Sequence, residues 1–362
     1  MRYIIHKNQR PAYLFLYRQL RDDILRGVYP QGGRLPSKRL LAEETGLSAV
    51  TVEHAYALLC DEGYAQARER SGYFVLFRQG DGFAAAAPQP PARPARAASG
   101  ETAFPLSVLS KAMRRVLSEC REEILEKSPN SGHPRLLTAL GQYLARNRGI
   151  RVSPEQIVVG SGAEYLYRLT VELLGRDRIY AVESPSYEKI PQIYRAAGAV
   201  CRLLPLGRDG IDSRALAQTD AEILHTTPYR SFPSGVTASA SKRHEYIRWA
   251  AAGRRLILES DYGSEFSVAA APMETLFVLS EKDNVIYTNT FSKTISPSMR
   301  MGYLVLPPAL VAPFQEKLGF YSCSVPTFEQ LVLAELIESG DFERHINRVR
   351  RAKRRALAAG ED

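Results

Sequence analysis

Residues 289–301 read Asn289-Thr290-Phe291-Ser292-Lys293-Thr294-Ile295-Ser296-Pro297-Ser298-Met299-Arg300-Met301, and Gly302-Tyr303-Leu304-Val305 follows. The apolar run Val285-Ile286-Tyr287 stops just before this stretch, which puts Lys293 on a loop at the end of a buried strand, between hydroxyls and a downstream arginine. A lysine there is a nucleophile once its amine is unprotonated and held against a carbonyl. The carbonyl compound most often fixed this way, pyridoxal phosphate, carries a phosphate that needs hydroxyls and a cation. Thr290, Ser292 and Arg300 supply both. An isolated loop lysine is ordinarily just solvated, so the rest of the chain has to decide between the two readings.

The segment as a whole, with an arginine after the lysine and a Gly-Tyr-Leu-Val strand behind it, resembles the cofactor-lysine motif of fold-type I aminotransferases. Upstream, apolar runs alternate with helical stretches, as a mainly parallel α/β sheet requires. The expected strands are Ile157-Val158-Val159, Ile179-Tyr180-Ala181-Val182, Ile223-Leu224-His225, Leu256-Ile257-Leu258, Val285-Ile286-Tyr287 and Tyr303-Leu304-Val305-Leu306. Sites in such sheets lie at strand carboxyl ends, and four of these ends carry chemistry.

Gly160-Ser161-Gly162-Ala163 opens a helix, where backbone N–H groups and a serine hydroxyl suit a phosphate, although a plain strand-to-helix turn reads the same way. Glu183-Ser184-Pro185-Ser186-Tyr187 offers Tyr187 to a planar ring or, equally, to the core. Thr227 to Gly235 ends in Pro233-Ser234-Gly235, similar to the Asn-Pro-Thr-Gly turn of aminotransferases with Phe232 at the asparagine position. Glu259-Ser260-Asp261-Tyr262 brings carboxylates and a phenol to the same region. A carboxylate beside a pyridine nitrogen keeps it protonated, and a tyrosine can hydrogen-bond a ring oxygen.

Residues 1–77 read as a helical unit ending in a hairpin. Leu14, Tyr17, Leu20, Ile24 and Leu25 fall at helical spacing before Gly27; Ser37 caps a second helix that stops at Gly46; Ser48 caps a third. Val52, Ala55, Leu58 and Leu59 form the inward face of that third helix, leaving Thr51 and His54 outward. Runs at 64–67 and 73–76 flank Arg68-Glu69-Arg70-Ser71-Gly72, a two-stranded wing with a basic tip. Helix, turn, helix and wing make a DNA reader whose third helix enters the major groove. Its candidate DNA-contacting residues are Ser37, Arg39, Ser48, Thr51, His54, Arg68, Arg70 and Gly72, with the arginines on phosphates. A packing module with solvated charges has the same pattern. Gly33-Arg34-Leu35-Pro36-Ser37-Lys38-Arg39, Leu47-Ser48 with Thr51-Val52 and Ala55-Tyr56, Glu62-Gly63-Tyr64 and Ser71-Gly72-Tyr73-Phe74-Val75 resemble the winged helix of GntR-type regulators, with Ala49 where that family commonly carries arginine.

A chain of 362 residues with 45% hydrophobic content accommodates two domains, and a net charge of +9 favours a polyanionic partner. No unbroken transmembrane run or secretory leader is read in it, so a soluble, cytoplasmic protein with no membrane partner is expected. Cys60, Cys120, Cys201 and Cys323 lack paired spacing, which points away from disulfides and metal. The expected organisation is a reader at 1–77, an Ala/Pro-rich linker at 78–105 and an aminotransferase-like domain at 106–362.

In this order along one chain, with Asn130-Ser131-Gly132-His133-Pro134-Arg135-Leu136 and Tyr143 to Gly149 also similar, these motifs resemble the MocR family of pyridoxal-phosphate-binding transcriptional regulators. The resemblance implies that Lys293 is the Schiff-base lysine. It implies that Ser161, Gly162, Ala163, Thr290, Ser292 and Arg300 surround the phosphate, that Tyr187 stacks on the ring, and that Tyr262 meets the ring hydroxyl. Asp261 is the one aspartate left for the ring nitrogen, since the family's Glu-Asp-Asp-Tyr has Ser260 at the first aspartate, and strand alternation can turn Asp261 away. Arg230-Ser231 replaces the family's His-Gln. Relatives continue beyond the basic stretch at 344–355 into a small domain carrying a carboxylate-binding arginine, so that stretch is expected to be solvated. The function implied is a dimeric regulator of operator double-stranded DNA that senses an amine or amino acid; the alternatives are an aminotransferase acting on amino acids and a cofactor-free dimerising module.

Overall fold

The computed structural model describes residues 11–68, 71–77, 103–268 and 274–359. Arg70 and most of the expected linker fall outside these residues. The chain divides into two compact units, Met1–Ala95 and Arg96–Asp362.

The first unit comprises α1 (Ala12–Leu25), α2 (Lys38–Thr45), α3 (Ala49–Asp61), β1 (Ala65–Arg68) and β2 (Gly72–Val75). Leu16, Tyr17, Leu20 and Ile24 bury one stripe of α1 against Leu41 of α2 and Val52, Ala55 and Leu59 of α3. Ser37 Oγ accepts from Leu40 N–H at 3.2 Å and Ser48 Oγ from Thr51 N–H at 3.1 Å, so both short-range caps form as their sequence requires. Gly46 ends α2 in the left-handed region at φ 70°. β1 and β2 pair antiparallel with Arg68 opposite Gly72, giving the wing.

The second unit runs α4 (Leu106–Glu119), α5 (Pro134–Arg148), β3 (Ile157–Gly160), α6 (Ala163–Leu174), β4 (Ile179–Ser184), α7 (Lys189–Ala196), β5 (Val200–Pro205), α8 (Ser213–Gln218) and β6 (Ile223–Thr226). It continues with α9 (Ala240–Ala251), β7 (Leu256–Ser260), α10 (Leu276–Leu279), β8 (Val285–Thr290), β9 (Gly302–Val305), α11 (Pro308–Leu318), α12 (Thr327–Glu338) and α13 (Asp341–Ala359). The strands form one seven-stranded sheet in the order β3-β9-β8-β7-β6-β4-β5, in which only β9 runs against the others. Helices cover both faces, which is why the central strands are apolar without alternation. Tyr287, Tyr303 and Val305 face the core shared with α4, α5, α12 and α13, while Ile286, Leu304 and Leu258 face α6, α7 and α11. Each such fully buried side chain contributes about 1.5–3 kcal/mol of transfer free energy.

Two features depart from the sequence reading. β5 was not anticipated, because its residues are those of a half-exposed edge strand, with Arg202 and Pro205 interrupting any apolar run. The basic stretch at 344–355 is not merely solvated: α13 buries Phe342, His345, Ile346 and Val349, and Arg350 Nε donates to the Glu265 carbonyl at 2.6 Å. Among the described residues no helix is long and apolar enough to cross a membrane, and no cluster of His, Cys, Asp and Glu could hold a metal ion.

Candidate functional site

The carboxyl ends of β6, β7 and β8 and the start of α6 surround an open pocket of about 420 Å³. Its walls include Ala163, Tyr187, Tyr262, Thr290, Ser292 and Arg300 from the sequence-predicted set, together with Tyr167, Arg230, Phe232 and Ser260. Lys293 Nζ stands 5.1 Å from the centroid of the Tyr262 ring, with Gly263 beneath it. A Cβ on Gly263 would lie 2.5 Å from that nitrogen, so glycine at φ 78° lets the lysine lie across the turn. The Lys293 side chain keeps access to solvent. Even so, the protein crowding its amine lowers its pKa by desolvation, helped by the Arg230 charge and opposed by Glu265. A depressed lysine pKa is what a neutral amine nucleophile needs.

At the opposite end, α6 begins without any side-chain cap on Gly162, leaving its first-turn N–H groups for an anion. Gly162 sits at φ 88° against the Arg300 guanidinium, and a Cβ there would come 3.5 Å from Arg300 Nη2. Glu164 was not foreseen: it ion-pairs Lys189 at 2.7 Å and Arg300 at 3.4 Å, and the Lys189 hydrogen bond is the first cause of its lowered pKa. Ser161 does not line the pocket; its N–H donates to Ser324 Oγ at 3.0 Å. Tyr187 is half exposed and meets Phe232 edge-on, with ring centroids 6.4 Å apart.

Asp261 does not face the pocket, where the ring-nitrogen role expected of it would place it. It leaves the pocket side, ion-pairing Arg148 at 2.7 Å and accepting from the Tyr287 hydroxyl at 2.7 Å. The pleat sends successive side chains to opposite faces, so Ser260 and Tyr262 turn to the pocket and Asp261 to the core. Behind Ser260 lies a chain of hydrogen bonds that sequence reasoning missed. Ser260 Oγ is 2.9 Å from the Tyr167 hydroxyl and 2.8 Å from His225 Nε2, and His225 Nδ1 is 2.7 Å from the Tyr194 hydroxyl. Burial pushes the His225 pKa down to about 3, so its ring is neutral. A histidine inside the otherwise apolar run Ile223-Leu224 was the available signal.

In the reader unit, Ser37 and Ser48 are engaged as caps, and Ser48 Oγ also meets Thr51 Oγ1 at 2.8 Å, so these hydroxyls reach a phosphate only as additional donors. Gly72 acts through its backbone: at φ 106° it lies under Arg34, where a Cβ would be 3.2 Å from Nε. Arg39 is exposed, His54 packs edge-on against Tyr13 at 5.8 Å, and the Arg68 guanidinium stacks over Phe74 at 4.5 Å. Val50, 61% exposed on α3, adds an apolar group to the outward face.

Residues 12–75 match the family model described as bacterial regulatory proteins, gntR family, and residues 98–358 match aminotransferase class I and II. The HTH-type transcriptional regulator YdeL of Bacillus subtilis is 31% identical, over 96% of this chain and 78% of its own length. The probable rhizopine catabolism regulatory protein MocR of Rhizobium meliloti is 29% identical, over 94% and 74%. The HTH-type pyridoxine biosynthesis transcriptional regulator PdxR of Corynebacterium glutamicum is 28% identical, over 96% and 77%. Among solved structures, an archaeal alanine:glyoxylate aminotransferase shares the fold at TM-score 0.62 and 23% identity, covering 68% of this chain. The chain spans 63% of that structure's length.

Proposed function

We propose, from the premise that this chain belongs to the MocR-type family of GntR regulators, that it is a DNA-binding transcription regulator whose aminotransferase-like unit holds pyridoxal phosphate and senses an amine or amino acid. The observation that carries the reading is Lys293. Its amine has a lowered pKa and stands over Tyr262 beside a pocket that ends in hydroxyls, an uncapped helix start and Arg300, on a chain that also carries a capped recognition helix.

The residues present fit that cofactor. Gly162 takes the left-handed φ of 88° at the uncapped start of α6 beside Arg300, Thr290 and Ser292 add hydroxyl donors for a phosphate, and Tyr187 and Tyr262 border the space for a planar ring. Bound there, pyridoxal phosphate supplies an aldehyde that condenses reversibly with amines and a ring that withdraws electrons when its nitrogen is protonated. Lys293 is the residue that would hold that aldehyde, in competition with an incoming amine, and as a free amine it would carry a proton and a charge. Arg230 lies close enough to lower the pKa of Lys293, and Lys353 of α13 is itself shifted down by desolvation, then by Lys293 and Arg230. A carboxylate on the effector would relieve this crowding of positive charge, which favours amino acids over simple amines.

On the reader, Arg39 and Arg68 face phosphates while α3 enters the groove, and a homodimer sets the spacing of two half-sites. Ser260 in place of a carboxylate argues against efficient transamination, because a hydroxyl does not keep a ring nitrogen protonated. The test is selection from a pool of random-sequence duplexes by the full chain. Enrichment of a common sequence is expected, with affinity falling steeply as salt rises; a pool that stays random overturns the reading.

A further inference from the structure

Four protons lie along the chain Tyr194–His225–Ser260–Tyr167: one on each phenol, one on the neutral imidazole and one on the serine. Three hydrogen bonds join these groups. Three bonds use three protons, so one proton must point out of the chain.

Its exit is fixed by burial. Tyr194 is 0% exposed and His225 Nδ1 is the one acceptor its hydroxyl meets among the described residues. A buried phenol without an acceptor is unfavourable, so Tyr194 donates to Nδ1. That leaves the imidazole proton on Nε2, and Nε2–H donates to Ser260 Oγ at 2.8 Å. Of the two remaining hydroxyls the Tyr167 phenol is the stronger acid, which makes it the favoured donor to Ser260 Oγ, 2.9 Å away. Ser260 Oγ then has both lone pairs occupied, and its own proton is the surplus one. Ser260 and Tyr167 both line the pocket, so the proton emerges there.

We propose that Ser260 presents a hydrogen-bond donor to the pocket and thereby selects a heteroaromatic ligand whose ring nitrogen is unprotonated. This rests on the reading that the pocket holds pyridoxal phosphate. A protonated ring nitrogen would bring a proton to an oxygen with no free lone pair. Accepting it would require Tyr194 or Tyr167 to lose its acceptor. His225 and Tyr194 are positioning residues in this arrangement: they touch no ligand but set the direction in which Ser260 donates. A ring held this way keeps an aldehyde that exchanges between amines, yet lacks the protonated nitrogen that draws electrons from a substrate carbon. The pocket would therefore read an amine without consuming it.

Two measurements on the full chain test this. In the cofactor-free protein labelled with 15N-histidine, the His225 resonance should show a protonated Nε2 and a bare Nδ1; the reverse tautomer overturns the proposal. With pyridoxal phosphate labelled at the ring nitrogen, the 15N shift should be that of neutral pyridine and should move to the pyridinium position in Ser260→Asp. A pyridinium shift in the native protein overturns the proposal. Failure of the cofactor to bind would instead count against the functional reading, while the His225 tautomer would still decide whether Ser260 accepts from His225 or donates to it.

Discussion

Replacing Gly263 by alanine would place a methyl 2.5 Å from Lys293 Nζ, 2.7 Å from its Cδ and 2.9 Å from its Cε. Two effects follow, and they separate by assay. The backbone at φ 78° lies in the left-handed region, where a Cβ costs about 1–2 kcal/mol, so the unfolding free energy should fall by that amount in urea melts. The clash itself falls on the end of a flexible side chain, so the lysine rather than the fold gives way. A shift of its amine by about 1 Å should slow capture of the aldehyde on the order of a hundredfold. Mixing the cofactor-free protein with pyridoxal phosphate and following absorbance in a stopped-flow instrument gives that rate. An unchanged rate in a variant that shows the expected loss of stability would refute the argument that Gly263 sets the lysine's position.

Lys293→Ala should abolish the borohydride-reducible cofactor adduct, and peptide mapping that finds the label on another lysine would contradict the assignment. Arg230→Gln removes a positive charge that lowers the Lys293 pKa, so the amine pKa should rise and capture of the aldehyde at neutral pH should slow; a faster or pH-independent capture would count against the electrostatic account. His225, held neutral with a pKa near 3, stabilises the fold above its unfolded pKa of 6.5, and that contribution is lost as pH falls from 6.5 toward 3. Relative to His225→Asn, the native chain should therefore lose about 1.4 kcal/mol per pH unit over that window, and a constant difference in urea melts would refute the burial of a neutral ring.

Much of this was legible in the sequence because it depends on local order. The caps at Ser37 and Ser48, the left-handed stop at Gly46 and the doubly buried strands each follow from a few neighbouring residues. The order of motifs placed Thr290, Ser292, Tyr262 and Arg300 around one pocket, with Lys293 over Tyr262. What was not legible depends on partners distant in the chain. Asp261 belongs to the core because Arg148 and Tyr287 wait for it there, and alternation alone allowed either face. The sequence shows Ser260 but not that Tyr167 and His225, 93 and 35 residues away, fix what its hydroxyl offers. β5 escaped notice because an edge strand needs no continuous apolar run, and the buried face of α13 because its few buried apolar residues are embedded among arginines.

The coupling of pocket to reader is the central claim, and DNA affinity measures it directly. The full chain, loaded with pyridoxal phosphate, is titrated onto its selected duplex at fixed salt before and after saturation with each member of an amino-acid panel. At least one amino acid that perturbs the cofactor spectrum should change the affinity by about 5-fold or more, the usual range for linked sites, and Lys293→Ala should not respond. Unchanged affinity for every amino acid that displaces Lys293 would contradict the account.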